Sequence, residues 1–242
     1  MVVLLLALLV AAGASAGNGR TAPWSGGVDR VTPLEHTLSG VAVSLAGAGA
    51  SVRCSSPTAW RALGARHDFD AEVAWALTPL SGEPGAARPA GYSSLAPRTC
   101  RLLERFADAP FERGTRICRH GTAGRSAAFG ECDDWGAMLV AVHVLGHESI
   151  HLAGVVDEAT ADCLAVQLDA LVAMQLGATG TLARTLARDY WAQYYPAQGP
   201  AYRSAQCRDG GALDLFRADR GWPTPRRYPG ATTPALEPFT GT

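Results

Sequence analysis

Residues 147–151 read His-Glu-Ser-Ile-His, an H-E-x-x-H pentapeptide inside a stretch, 135–152, whose pattern is helical. Four residues are a little over one helical turn, so both imidazoles project from the same face. Two neutral imidazoles so placed can chelate one zinc ion, and Glu148 sits one step round, within reach of a water on the metal. Zinc lowers the pKa of such a water to ~7, and a carboxylate can take its proton as it attacks a carbonyl. The bland alternative is a buried helix with incidental polar residues. It has to accommodate two His and a Glu among Met138, Leu139, Val140, Val142, Val144, Leu145, Ile150 and Leu152.

The residues that follow extend the pattern. Gly154 is placed to end the helix in a left-handed turn. A second helical run then opens at Asp157-Glu158, continues to about Leu176 and stops at Gly177. Glu158 and Asp162 are four apart, again on one face. A catalytic zinc takes three protein ligands plus a water, and a carboxylate beside two imidazoles completes the set. A further carboxylate one turn on can accept the free ring N–H of a ligating His and fix its tautomer. On these residues, 134–176 of the chain, the sequence resembles the gluzincin metallopeptidases, the thermolysin-like class with H-E-x-x-H and a downstream helical E-x-x-x-D. The resemblance implies His147 and His151 as zinc ligands, Glu148 as general base, Glu158 as third ligand and Asp162 as the carboxylate behind a ligand. Six residues separate His151 from Glu158, fewer than in the thermolysin pattern.

The same letters carry a rival. From His147 to Asp157 the chain reads H-E-x-x-H-x-x-G-x-x-D, similar to the metzincin pattern with aspartate as third ligand. That class has a methionine turn beneath the zinc. The downstream candidate here, Met174, lies within the second helical run. Asp157 also has a structural explanation, since it precedes a helix and suits an N-cap. Glu158 is the favoured third ligand and Asp157 the alternative.

Residues 2–16 are an unbroken run of apolar and small residues ending Ala14-Ser15-Ala16, an A-x-A cleavage signal. The expectation is a signal peptide at 1–16 and a secreted protein, with an uncleaved N-terminal membrane anchor as the alternative. Six cysteines, at 54, 100, 118, 132, 163 and 207, follow it. An even number behind an export signal argues for three disulfides. Cys118–Cys132 is favoured for its short loop and Cys163–Cys207 because both follow the site, leaving Cys54–Cys100 by elimination. Net charge is −1 with no basic stripe, so nucleic acid binding and electrostatic attachment to membranes have no motive. Nothing fixes the oligomeric state.

Along the chain, residues 17–40 are rich in Gly and Pro and read as an extended arm, with one domain expected over 41–220 and an extended tail over 221–242. Residues 41–45 alternate weakly, as a strand would. Ser56-Pro57 opens a short helix to Leu63. Alternation over 72–77 predicts a half-buried strand whose free edge could pair with an extended peptide. Residues 97–106 read as a helix capped near Ser94, 108–131 as loop, and the motif helix is expected from Asp133 or Asp134. Residues 181–195 form a third helical run, and 209–211 a turn. Strands in the first half and helices in the second give an α+β class, disulfide-stabilised, with a zinc-binding helix pair. His143, one turn before His147, reads as a hydrogen-bonded core histidine or as a partner behind the site. Tyr190, Tyr194, Tyr195 and Tyr202 are candidates for stabilising an oxyanion, or packing residues. His36, His67 and His120 fall in loop-like stretches without a motif. The expectation is a secreted zinc-dependent peptidase acting on a protein or peptide. The alternative is a secreted binding or structural domain with a non-catalytic zinc site, its fourth ligand Cys163 or His143.

Overall fold

A helix that is apolar on nearly every face has to lie at the centre of what surrounds it, and residues 161–170 are buried without interruption. They belong to the helix Glu158–Gln175, the axis of the fold. The computed structural model describes residues 31–67, 74, 76–78, 91–108, 129–219 and 221–228, and all elements lie in the unit Thr32–Thr242. In chain order they are α1 (Pro33–Ala46), β1 (Ser51–Cys54), α2 (Pro57–His67), β2 (Ala76–Leu77), β3 (Tyr92–Leu95), α3 (Pro97–Asp108), α4 (Phe129–Leu152), α5 (Glu158–Gln175) and α6 (Gly180–Gln193). The central α5 packs against both α4 and α6, and α4 also packs against α1, α3 and the strands β2 and β3. Their apolar faces share one core, from Leu38 and Val41 through Leu103, Phe106 and Leu145 to Leu164 and Leu186.

The sheet order is β1-β3-β2, with β1 parallel and β2 antiparallel to β3. Among the described residues each outer strand therefore has one edge without a strand partner, and the two are treated differently. The edge of β1 is covered by side chains of α1. Ser39 Oγ accepts from the Val52 amide at 3.0 Å, and Glu35 Oε1 accepts from the Cys54 amide at 2.9 Å. Strand edges invite foreign pairing unless they are covered. The edge of β2 lies along a cleft beside α4.

The α+β expectation describes this arrangement, with a small sheet in the N-terminal half and helices dominating the C-terminal half. Cys54–Cys100 and Cys163–Cys207 are disulfides, closing separations of 46 and 44 residues. Loops of that length correspond to about 4 kcal/mol each on a chain-entropy basis. The Cys118–Cys132 pairing, residues 1–30, His120, and Val73 and Trp75 of the expected strand lie outside the described residues. Among the described residues no helix is long and apolar enough to cross a membrane.

Several local expectations are corrected. Residues 33–40, expected in the arm, and 41–45, expected as a strand, form α1. Thr32 and Glu35 close a capping box there, with Pro33 at the first turn. Val41 and Leu45, which look alternating, are also four apart and sit on one buried helical face, while Val43 is exposed. Helix α2 runs past Leu63 to His67, so His36 and His67 stand on helices. Ser94 lies within β3, three residues before α3 begins. Helix α4 begins at Phe129, four residues before the expected start. Residues 221–228 are turns and not an extended tail: Tyr228 donates its hydroxyl to the Gln167 carbonyl at 3.0 Å. Gln167 also holds the segment after α6, donating to Leu213 O and accepting from the Leu215 amide, each at 2.8 Å.

Glu35 gives a test of the covered edge. Burial opposes its ionisation, yet hydrogen bonds from the Thr32 and Cys54 backbones hold its carboxyl below the ordinary value. Glu35→Ala removes the capping box and the β1 tie together, for an expected loss of about 1–3 kcal/mol in urea unfolding at neutral pH. The folded-state pKa is lowered, so this contribution is complete above the ordinary glutamate range and is lost as pH falls through the folded value. Wild type and variant should converge in acid.

Candidate metal centre

The site is built where α4 turns back into α5. Gly154 takes a φ of 101°, the left-handed conformation that suits glycine, and its amide closes on the His151 carbonyl at 2.9 Å. The reversal brings the Val155 carbonyl onto His151, whose Nδ1 donates to it at 2.6 Å. A carbonyl only accepts, so Nδ1 carries the proton and Nε2 presents a lone pair. Asp157 then caps α5, accepting from the Thr160 amide at 2.8 Å. That cap sets Glu158 in the first turn, facing back toward α4.

His147 Nε2 lies 2.9 Å from His151 Nε2 and 3.0 Å from Glu158 Oε2, and His151 Nε2 lies 3.4 Å from the same oxygen. Three donor atoms so spaced admit one ion at ~2.0–2.2 Å from each, the bond range of zinc with nitrogen and oxygen. These residues could hold a metal ion. The donor set argues for one, because two imidazole nitrogens and a carboxylate oxygen converging on a point favour positive charge between them. Burial opposes protonation of His147, but its hydrogen bonds with Asp162 and Glu158 carry its pKa up to about 9. The His147 hydrogen bond is also the main cause holding Glu158 well below the usual carboxylate range.

Behind His147 stands a buried chain of polar groups. Its Nδ1 faces Asp162 Oδ1 at 3.5 Å, and the same oxygen receives His143 Nε2 at 2.9 Å. His143 Nδ1 meets both oxygens of Asp169 at 3.2 Å. With a carboxylate at each nitrogen, His143 carries both ring protons. Burial alone would lower its pKa, and the charges of Asp169 and Asp162 raise it to about 10. Burial raises Asp169 to about 6, whereas burial opposes the less deeply buried Asp162 and His143 brings it down to about 2. His143, His147 and Asp162 form a second, overlapping set that could hold an ion. In this structure their facing atoms already pair with one another.

Glu148 points from α4 to the sheet. Its Oε2 accepts from the hydroxyls of Thr78, at the end of β2, and Ser93, on β3 at 3.3 Å. Among the described residues none bonds Oε1. A cleft of about 520 Å³ opens here, walled by Ala74, Ala76 and Leu77 on one side and by Val140, Val144 and Tyr202 on the other.

The structure thus brings His147, His151, Glu158, Glu148 and Asp162 together, and places Asp157 at the helix cap, outside the converging set. Met174 lies inside α5 and packs against the core. Of the four tyrosines, Tyr190 stacks on His143 with centroids 3.8 Å apart, Tyr194 stacks on Tyr190, and the Tyr195 hydroxyl accepts from the Ser204 amide. Tyr202 stands at the cleft, 40% exposed. Sequence reasoning alone passes over Thr78, Ser93, Asp169 and Gln198. Asp169 is within its reach, since two turns of helix beyond Asp162 return to the same face. The two hydroxyls reach Glu148 from 70 and 55 residues away, and nothing local signals them.

Two substitutions separate the adjacent acids. Glu158→Ala should strip bound metal, measured by elemental analysis after dialysis. Asp157→Ala should keep it and lower stability by about 0.5–2 kcal/mol through the lost cap. The reverse ordering of metal content would assign the third position to Asp157. A scan against protein-family models and searches of curated proteins and of solved structures return no match for this chain.

Proposed function

We propose that the chain is a secreted zinc metallopeptidase of the gluzincin type. The observation that carries this reading is the convergence of His147, His151 and Glu158 to within 3.4 Å, with Glu148 beside them at an open cleft and not among the converging atoms. Two nitrogens and one oxygen in a tetrahedral frame suit zinc. A structural zinc takes a fourth protein ligand and needs no base. Here the set has three members among the described residues and a carboxylate alongside. The two disulfides are bonds of an oxidising compartment, consistent with export.

Zinc held by these three residues supplies Lewis-acid polarisation of a carbonyl and of water. The chain supplies the rest. Glu148 takes the proton of the attacking water through Oε1, the oxygen that no described residue bonds, then returns it to the departing amine. The edge of β2 that no described strand pairs offers backbone groups to an extended peptide, and the apolar wall beside it takes alternate side chains. Tyr202 lines the same cleft. Burial raises its pKa, as do the charges of Glu158, Asp162 and Glu148, so it keeps its proton and can donate to a developing oxyanion. Val155 and Asp162 fix the tautomers of the two ligating imidazoles, which keeps both Nε2 lone pairs on the metal position.

Glu148→Gln should retain zinc and lose at least ~10²-fold in cleavage of an unstructured polypeptide. His147→Ala and His151→Ala should lose both metal and activity. Tyr202→Phe should lower kcat by about 10²-fold with KM little changed, the usual cost of one oxyanion donor. Equal cleavage by wild type and Glu148→Gln would overturn the peptidase reading, whatever the metal content.

A further inference from the structure

Buried hydroxyls on a strand are costly unless they are bonded, and the strands beside α4 place two of them against one carboxylate. Ser93 is fully buried, Thr78 and Glu148 nearly so. Both hydroxyls donate to the same oxygen, Glu148 Oε2, that of Ser93 at 3.3 Å. Ser93 Oγ also lies 3.4 Å from the Leu77 carbonyl, so its single proton is divided between two acceptors. Thr78 is then the firmer of the two donors. Its β-branched side chain has few rotamers to lose, and it presents the hydroxyl with little further ordering.

A glutamate on a helix reaches a cleft through a flexible side chain whose terminal torsion is broad. Left alone, either oxygen can face the reacting water. Two donors on Oε2 remove that choice, because they come from β3 and from the residue that follows β2 and converge on one atom. We propose that Thr78 and Ser93 are positioning residues for hydrolysis. They hold Glu148 by Oε2 and leave Oε1 as the oxygen that moves the proton. The proposal rests on the metallopeptidase reading for its reaction, though not for its geometry. It also gives the sheet a second role. The strand whose edge faces the cleft fixes the base at its own end, so substrate alignment and base alignment share a scaffold.

The test uses the full-length zinc-loaded protein and the variants Thr78→Val, Ser93→Ala and Thr78→Ser. Kinetics on an unstructured peptide are read with zinc content, melting temperature and the side-chain ¹³C carboxyl resonance of Glu148, identified by its disappearance in Glu148→Gln. Thr78→Val should reduce kcat by about 10- to 100-fold, the scale of a misplaced catalytic group, with KM and zinc content unchanged. Ser93→Ala should act in the same direction and less. The Glu148 resonance should shift in both, and Thr78→Ser, which keeps the hydroxyl, should restore most of the rate and the wild-type resonance. An unshifted resonance in Thr78→Val would overturn the clamp itself. A shifted resonance with kcat at the wild-type level would overturn its role in the reaction. If wild type and Glu148→Gln cleave equally, the peptidase reading fails, and the resonance still decides whether the two hydroxyls hold the carboxylate.

Discussion

One carboxylate oxygen, Asp162 Oδ1, joins the two helices of the site. It receives His143 Nε2 at 2.9 Å and Gln198 Nε2 at 3.3 Å, and faces His147 Nδ1 at 3.5 Å. Two successive turns of α4 thus meet a single atom of α5. In a low-dielectric interior such a convergence has to be electrically balanced. Protonated His143 balances one of its two flanking aspartates. The remaining negative charge, with Glu158 added, is left for whatever cation sits between His147 and His151. The preference of the centre for a cation is therefore set two layers below the ligands. Asp162 Oδ2, buried and without a hydrogen-bond partner among the described residues, leaves that layer incompletely satisfied.

How legible the site is in the sequence depends on the distance over which each piece is specified. His147, His151 and Glu148 follow from helical arithmetic within five residues. Glu158 and Asp162 need only the further recognition that Gly154 reverses the chain. The caps are legible for the same reason, as with Asp157 before α5. Failures cluster where a short pattern fits two periods. Val41 and Leu45 satisfy both a strand and a helix, and Thr32 and Glu35, outside that window, decide between them. Strand β3 carries Tyr92, Ser93, Ser94 and Leu95, a sequence that looks like the approach to a helix. Two of its serines are buried for reasons that only the tertiary structure supplies. Residues 221–228 read as tail because Pro and Gly punctuate them, yet Tyr228 packs against the core and donates its hydroxyl to the Gln167 carbonyl of α5.

The sheet is too small to be a core of its own, and its value lies in its two edges. One is closed by Ser39 and Glu35 of α1. The other runs into the cleft at Thr78. Cys54–Cys100 secures the end of β1 to α3, next to the strand that carries Ser93. Cys163–Cys207 does the same for α5 and the segment that presents Tyr202. Each wall of the cleft is thus backed by a covalent tie one element away, and the site is framed by parts that resist moving apart.

The metal ligands and the groups that hold the base differ in how far apart they lie along the chain. His147 and Glu158 are 11 residues apart, whereas Thr78 reaches Glu148 across 70. Closing a long loop costs only about 0.6 kcal/mol more for each doubling of its length. A residue inserted between His147 and His151 swings one imidazole about 100° round α4 and ends chelation. A dozen inserted between β3 and α4 would leave every ligand spacing untouched. The two halves of the site are therefore unequal under mutation. What marks the site along the sequence is the register of α4 and α5, and the length of chain separating that pair from the strands carries little of it.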